Sequence, residues 1–215
     1  MLIATNWLVF IYAVATNQVL QSSLGYFINP LVSVLLGYLF LHERLGRLPL
    51  VSIGIAAVGV LLMALHHGGL PWIALILAVT FGLYGLLRKV AAVEALTGLA
   101  VETLLLFPVA AGYLCALGVT GRGAFPSPSL QDNILLPLAG VITAIPLLWF
   151  AAAARRLRLA TLGFMQYLTP TLHFLLAVLV FGEPFGRSEL VSFACIWTGL
   201  GLYSWHAARS WRLLG

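Results

Sequence analysis

The chain has 215 residues, of which 62% are hydrophobic and 8% are charged, and its formal net charge is +5. A soluble domain carries roughly 25% charged residues and would not cover its surface with so few. The composition therefore predicts an all-α polytopic membrane protein whose first partner is the lipid bilayer. Nucleic acid is excluded as a partner because the basic residues lie between apolar segments and not in one patch with aromatic residues.

Eight apolar segments follow one another along the chain. A helix needs about 20 apolar residues to cross the hydrocarbon core of a bilayer. The candidates are about 1–16, 20–41, 48–65, 70–87, 95–118, 132–154, 160–181 and 188–208. Their connections are short except for 119–131, whose Gly, Pro and Ser residues predict a loop. We therefore expect about eight transmembrane helices and no soluble domain.

The positions of Lys and Arg predict the orientation. Of the 11 basic residues, all but Arg122 and Arg187 fall in loops on the side of Met1, so the division is 9 against 2. Cytoplasmic loops carry the excess of Lys and Arg. Both ends of this chain are therefore predicted to be cytoplasmic.

One long stretch of the sequence occurs twice. Residues 22–47 match residues 162–187 without a gap, at an offset of 140 positions, and the register continues into the next segment. The matched pairs include Pro30 and Pro170, Glu43 and Glu183, Ser52 and Ser192, and Gly59 and Gly199. Matched segments are five apart, so they cross the membrane in opposite directions. Such inverted-topology repeats are typical of transporters, which build inward-open and outward-open states from them.

The repeat also predicts the domain organisation. Residues 70–208 correspond to a five-helix unit, whereas residues 1–66 correspond only to the last three helices of such a unit. Two five-helix units would give ten helices, of which this chain holds about eight. We therefore expect a further ~70 residues upstream of Met1, with the remaining helices of the first repeat.

A family resemblance is carried by six stretches: SLGYFINPLVSVLLG, FLHERLGR, FGLYGLLRK, ALTGLAVETLLLFP, TAIPLLWFAAAARRLRLATLGFMQYLTP and FGEPF. Together they resemble the RarD-type permeases, in the EamA branch of the drug/metabolite transporter superfamily. The resemblance covers nearly the whole chain. It implies a multi-pass permease of the cell inner (plasma) membrane, with ten helices in two halves, and it implies no catalytic residues.

Polar side chains on two matched segments predict a substrate-binding site. Tyr26, Asn29 and Ser33 lie on one face of the segment 20–41. Their partners at the offset of 140 are Gln166, Thr169 and His173. Thr143 and Trp149 add a wall from the segment 132–154. Polar groups inside a membrane are often functional, but the alternative is that they only join helices by hydrogen bonds.

Prolines inside the predicted helices mark candidate kinks at Pro30, Pro146 and Pro170. A proline within a helix removes one backbone hydrogen bond and bends the helix. The carbonyl that loses its partner is then able to face a polar cavity. Because Pro30 and Pro170 lie near the centres of their segments, we expect the two polar stripes to meet near the middle of the membrane.

Glu102 is the only acidic residue well inside a predicted segment. An ionised carboxylate is costly in the hydrocarbon region. One interpretation is that Glu102 is protonated and couples protons to transport. The other is that it forms an ion pair with Arg88 or Lys89 near the interface.

The remaining polar residues have structural interpretations. Glu43 and Glu183 begin loops beside Arg47 and Arg187, where salt bridges or helix capping are expected. His66 and His67 are adjacent, which is not the spacing of helical metal ligands, so they predict a polar loop and no metal site.

The function that these patterns favour is a secondary transporter that moves a small organic metabolite or drug-like solute by alternating access. No Walker, HExxH, GxSxG or CxxC motif is present, so the sequence favours neither an enzyme nor a cofactor. The alternative is an inactive or structural membrane fragment of such a permease. Association into a homodimer is left open.

Overall fold

The computed structural model describes residues 1–16, 18–66, 72–121, 123, 129–172 and 186–212. These residues form helices and turns and contain no strand. The helices are α1 (Leu2–Ala15), α2 (Val19–Leu41), α3 (Arg47–His66), α4 (Trp72–Val90), α5 (Ala95–Val119), α6 (Leu130–Arg156), α7 (Leu159–Gln166) and α8 (Arg187–Arg212). The predicted all-α fold class is confirmed.

Five of these helices are long and apolar enough to cross a membrane. They contain the spans Leu24–Leu41, Arg47–Leu65, Trp72–Val90, Ala95–Val119 and Leu130–Arg156. α1 is apolar but shorter, and α8 covers the last predicted segment. Of the predicted segment 160–181, only residues up to 172 are described. The helices and their apolar surfaces make this a multi-pass membrane protein.

The chain divides into two compact units. The larger contains residues 2–87 and 157–215, and the smaller contains Met1 and residues 88–156. The larger unit therefore draws helices from both predicted repeats.

The core of the larger unit lies where α2, α3, α7 and α8 meet. α3 packs along α8, and α2 packs along α7. Phe164 of α7 stacks on Tyr203 of α8 with ring centroids 3.8 Å apart, and the Tyr203 hydroxyl forms a 2.9 Å hydrogen bond with Thr161 Oγ1. The buried residues of this core are Phe27, Val34, Ala56, Val60, Ala160, Phe164, Tyr167, Phe193, Ile196 and Tyr203.

α3 and α8 touch through two equivalent glycine contacts. A Cβ added at Gly59 would lie 2.6 Å from the Ser192 carbonyl oxygen, and one added at Gly199 would lie 2.6 Å from that of Ser52. At the offset of 140 positions, Gly59 matches Gly199 and Ser52 matches Ser192, so each contact is the repeat equivalent of the other. A two-fold relation between paired elements produces such reciprocity. Only glycine fits at either position, because any side chain would meet the backbone of the opposite helix.

The smaller unit is built on α5 and α6, which contact each other. Lys89 Nζ donates to the Ala154 carbonyl oxygen at 3.4 Å, and Arg155 Nη1 donates to that of Val93 at 3.1 Å. These basic side chains thus satisfy carbonyls at the end of α6 and in the turn before α5. α5 is strongly apolar and buries none of its residues, as a helix that faces lipid would.

Candidate functional site

A cavity of about 110 Å³ lies within the larger unit, between α1, α2, α4 and the end of α7. Its lining residues are Asn6, Ser22, Gly25, Tyr26, Asn29, Leu77, Phe81, Gln166 and Thr169. The lining that the structure describes includes hydroxyl, amide and aromatic groups but no Lys, Arg, Asp or Glu. The cavity therefore presents hydrogen-bonding groups without a formal charge.

The first helices hold one wall of the cavity in place. Asn6 Nδ2 donates to the Leu77 carbonyl oxygen and to Thr80 Oγ1, each at 2.9 Å, and so ties α1 to α4. A Cβ added at Gly25 would lie 3.1 Å from the Ala74 carbonyl oxygen, which shows how closely α2 approaches α4. The wall is thus fixed by two hydrogen bonds from one amide group and by one close helix crossing.

Two amides meet at the boundary of the cavity. Asn29 Nδ2 donates to Gln166 Oε1 and so joins α2 to α7. Asn29 Oδ1 and Gln166 Nε2 are buried without a hydrogen-bond partner among the described residues. Each amide carries donor hydrogens and an acceptor oxygen, so either orientation of this pair leaves one acceptor and one donor group unused. This leftover pair is the most distinctive polar feature of the site.

The helix beside this amide pair is interrupted. α7 ends at Gln166, Tyr167 lies in a turn, and residues 168–172 are helical again. Pro170 has no N–H to donate to the carbonyl of Gln166 four residues earlier, so one backbone hydrogen bond of a continuous helix is missing at this point. α2 continues through Pro30, and α6 continues through Pro146. Of the three predicted kinks, only the one at Pro170 accompanies an interruption of the helix.

Four of the predicted substrate-binding residues line the cavity: Tyr26, Asn29, Gln166 and Thr169. Ser33 is buried outside the cavity lining, in the seam between α2 and α7. It faces Gly163 of α7 there, since a Cβ added at Gly163 would lie 3.1 Å from the Ser33 Cβ. His173 lies outside the described residues.

The sequence interpretation missed the lining residues on α1 and α4. Asn6, Leu77 and Phe81 have no polar partner at the offset of 140, so the repeat does not single them out. The signal that was present is Asn6 itself, an amide inside an otherwise apolar segment.

The predicted third wall belongs to the smaller unit. Thr143 Oγ1 donates to the Ala139 carbonyl oxygen at 2.7 Å, within its own helix. Trp149 is 72% exposed. Their contribution to the binding site stays a prediction.

Glu102 forms an ion pair with Arg88. Arg88 Nη2 lies 3.0 Å from Glu102 Oε2, with the Arg88 side chain 8% exposed and the Glu102 side chain 25% exposed. The guanidinium lies over Gly98, where an added Cβ would be 1.8 Å from Nη1. This geometry is the one that the ion-pair interpretation predicts. Proton coupling through Glu102 stays a prediction.

Glu43 caps a helix that is distant in sequence. Its Oε1 accepts the backbone N–H of Leu159 at 2.7 Å, and its Oε2 accepts that of Ala160 at 3.2 Å. The capping alternative is therefore confirmed for Glu43. Glu183 and His67 lie outside the described residues, as does the side chain of His66. Within the described ranges, no group of three His, Cys, Asp or Glu side chains is placed to hold a metal ion.

Comparison with known proteins gives several similar transporters. An uncharacterized transporter of Vibrio cholerae is 49% identical in an alignment that covers 97% of this chain and 71% of the relative. Protein RarD of Escherichia coli is 50% identical over 202 residues, covering 94% of this chain and 68% of the relative. The chloramphenicol-sensitive protein RarD of Pseudomonas aeruginosa is 36% identical over 204 residues, covering 95% and 68%. No protein-family model matches the chain.

Proposed function

Because this chain belongs to the RarD family of transporters, we propose that it forms part of a secondary transporter that moves a small neutral organic solute by alternating access. The observation that carries the proposal is the uncharged cavity at the Asn29–Gln166 contact. This contact joins α2 and α7, the two helices that correspond to each other in the sequence repeat. Transporters with inverted repeats bind their substrates at such positions, beside discontinuous helices.

The leftover hydrogen-bonding groups define the chemistry of the solute. Asn29 Oδ1 is a hydrogen-bond acceptor and Gln166 Nε2 is a donor, and neither has a partner among the described residues. A hydroxyl or carboxamide group satisfies both atoms, since it donates and accepts. A carboxylate would satisfy only the donor and would face the lone pairs of Asn29 Oδ1. A phosphate would favour Arg or Lys, and the described lining includes neither.

The size of the cavity supports a conformational cycle. Pockets for drug-sized ligands have volumes of roughly 300–1,000 Å³, whereas this cavity measures about 110 Å³. The two unpartnered amide atoms are also buried. A whole solute would therefore bind only after α2 and α7 separate enough to expose these two atoms. Two conformations that differ in this separation are the minimum that alternating access requires.

The setting of this transporter is the cell inner membrane, with both ends of this chain in the cytoplasm. The asymmetric distribution of Lys and Arg supports this orientation. Glu43, Arg44 and Arg158 would then mark the cytoplasmic end of the contact between α2 and α7.

Uptake into membrane vesicles tests the proposal even while the solute is unidentified. Vesicles that contain the full-length protein are incubated with a cell extract plus chloramphenicol, and the accumulated compounds are identified by mass spectrometry. We expect at least one neutral solute to accumulate, and the double variant Asn29→Leu with Gln166→Met to lose it. Thr103→Val is the matched control, because Thr103 is exposed on α5 and bonds only within its own helix.

Three results would contradict the proposal. The first is that no compound accumulates above vesicles without the protein. The second is that every accumulated compound is charged. The third is that the folded double variant takes up the same compounds at the same rate.

A further inference from the structure

The carboxylate of Glu43 links the loop after α2 to the start of α7. It accepts both of the first two backbone N–H groups of α7, at 2.7 Å from Leu159 and 3.2 Å from Ala160. These groups have no partner inside their helix, and a negative charge at a helix N-terminus is favourable. Glu43 is 9% exposed, so the contact is largely shielded from water. One side chain thus binds two helices of the repeat together.

The surroundings of Glu43 are shaped for this contact. Gly37 leaves room for the carboxylate, because a Cβ added there would lie 2.9 Å from Glu43 Oε2 and 3.2 Å from the Leu159 Cβ. Beside it, Arg158 Nη2 donates to the Arg44 carbonyl oxygen at 2.8 Å. The loop after α2 is therefore fastened to the start of α7 at two neighbouring points.

From this end, α2 and α7 pack closely until they reach the cavity. At Gly163, an added Cβ would lie 2.8 Å from the Pro30 carbonyl oxygen and 3.1 Å from the Ser33 Cβ. The Asn29–Gln166 bond follows, and the cavity begins there. Asn29 is about 18 Å along the helix from Leu41, at 1.5 Å per residue. The seam between Glu43 and Asn29 therefore lies between the cavity and this face of the membrane.

We propose that Glu43 is a gating residue: its contact with Leu159 and Ala160 holds the seam closed, and this contact breaks when the cavity opens toward the Glu43 face. The inference rests on the proposed transport function. The location suits a reversible contact, because Glu43 lies just beyond the end of α2, where water would reach the carboxylate and both N–H groups once the seam opens. Charge at the membrane interface is also far less costly than charge in the hydrocarbon region.

Cysteine labelling of the solute-free protein tests the gate. Cys115 and Cys195 are replaced by Ser, and the reporter Ser33→Cys is placed in the closed seam. A membrane-impermeant maleimide is then added to right-side-out or inside-out vesicles. Glu43→Gln removes the charge that caps α7, and Gly37→Ala displaces the same carboxylate without removing its charge.

Both gate variants should accelerate labelling of Ser33→Cys from the Glu43 face by at least about fivefold, the population shift expected from the loss of one helix cap. In a second reporter, Tyr26→Cys, labelling from the opposite face should fall, since opening one side closes the other. Glu94→Gln is the matched control, because Glu94 stands at the N-cap of α5 without a side-chain capping bond. It should leave both reporters unchanged.

Two outcomes would overturn the gate. One is that Ser33→Cys reacts at the parent rate in both variants while gel filtration shows folded protein. The other is that both reporters react faster from both faces. That result would show that the Glu43 contact stabilises the folded structure without controlling access from one side. Because labelling needs no solute, a failed gate is distinguishable from a failed transport proposal. The uptake assay tests the latter alone.

Discussion

The hydrogen bond between Asn29 and Gln166 gives a prediction at the scale of single residues. Either Asn29→Leu or Gln166→Met alone leaves a buried amide without its partner, which typically costs about 1–3 kcal/mol. Replacing both removes the unpaired groups together, so the double variant should be more stable than either single variant. Thermal unfolding in detergent measures the three free energies of unfolding as a double-mutant cycle. Additive losses would show that the two amides do not interact.

The ion pair between Arg88 and Glu102 gives a second prediction at this scale. Glu102→Gln should lower the free energy of unfolding by about 2 kcal/mol, because it removes a negative charge 3.0 Å from the largely buried Arg88 guanidinium. The double variant Arg88→Gln with Glu102→Gln should recover much of this loss. Thermal unfolding of both variants is the measurement. Equal losses in the single and double variants would contradict the idea that the cost comes from burying the Arg88 charge beside a neutral side chain at position 102.

The single variant Glu102→Gln also distinguishes a structural ion pair from proton coupling through Glu102. If Glu102 only pairs with Arg88, solute uptake by Glu102→Gln should still respond to an imposed pH gradient. Loss of the gradient response in folded protein, with exchange of solute retained, would instead establish proton coupling through this carboxylate.

At the residue scale, the sequence predicted part of the site for a definite reason. Tyr26 and Asn29 share a helical face, and the residues that match them in the repeat, Gln166 and Thr169, are polar as well. The helical spacing and the repeat therefore select the same positions. Asn6 belongs to a helix with no such coincidence, and its bonds to Leu77 and Thr80 depend on packing between α1 and α4. The partner of Glu102 was left open between Arg88 and Lys89, because spacing along the chain does not fix side-chain direction.

At the scale of elements, the crossing of α3 and α8 gives a symmetric prediction. Gly59→Ala and Gly199→Ala should destabilise the protein by similar amounts, about 1–3 kcal/mol each, since each added methyl would meet a backbone carbonyl at 2.6 Å. Gly54→Ala and Gly201→Ala on the same helices are matched controls, because nothing lies within 4 Å of the added Cβ.

Thermal unfolding of the four alanine variants checks this symmetry. The two controls should be neutral or slightly stabilising, since Ala favours a helix more than Gly does. A large loss for only one of Gly59→Ala and Gly199→Ala would contradict the equivalence of the two contacts.

The helices themselves show where sequence interpretation succeeds and where it stops. The apolar lengths of α2 to α6 predicted their positions closely, because the bilayer fixes how many apolar residues a spanning helix needs. Pro30 and Pro170 occupy matched positions in the sequence, yet α2 continues through the first and the helix is interrupted before the second. A proline therefore does not by itself decide whether a helix is interrupted, and the repeat does not predict this difference.

For the whole molecule, the charge pattern predicts the orientation in the membrane. A reporter fused after Gly215 should be active in the cytoplasm, and one inserted at Ala124 should be active on the opposite side. Alkaline phosphatase and green fluorescent protein fusions report the two sides in complementary ways. The reverse pattern at both positions would overturn the assignment of the Glu43 face to the cytoplasm.

Protection of cavity cysteines by a transported solute tests the central claim most directly. Thr169→Cys lines the cavity, and its neighbour Leu168→Cys is exposed but outside the lining, so the two form a matched pair. With a neutral solute identified by vesicle uptake, we predict that saturating solute slows maleimide labelling at Thr169→Cys and leaves Leu168→Cys unchanged. Unaltered labelling at Thr169→Cys, under conditions where that solute is transported, would contradict the assignment of this cavity as the binding site.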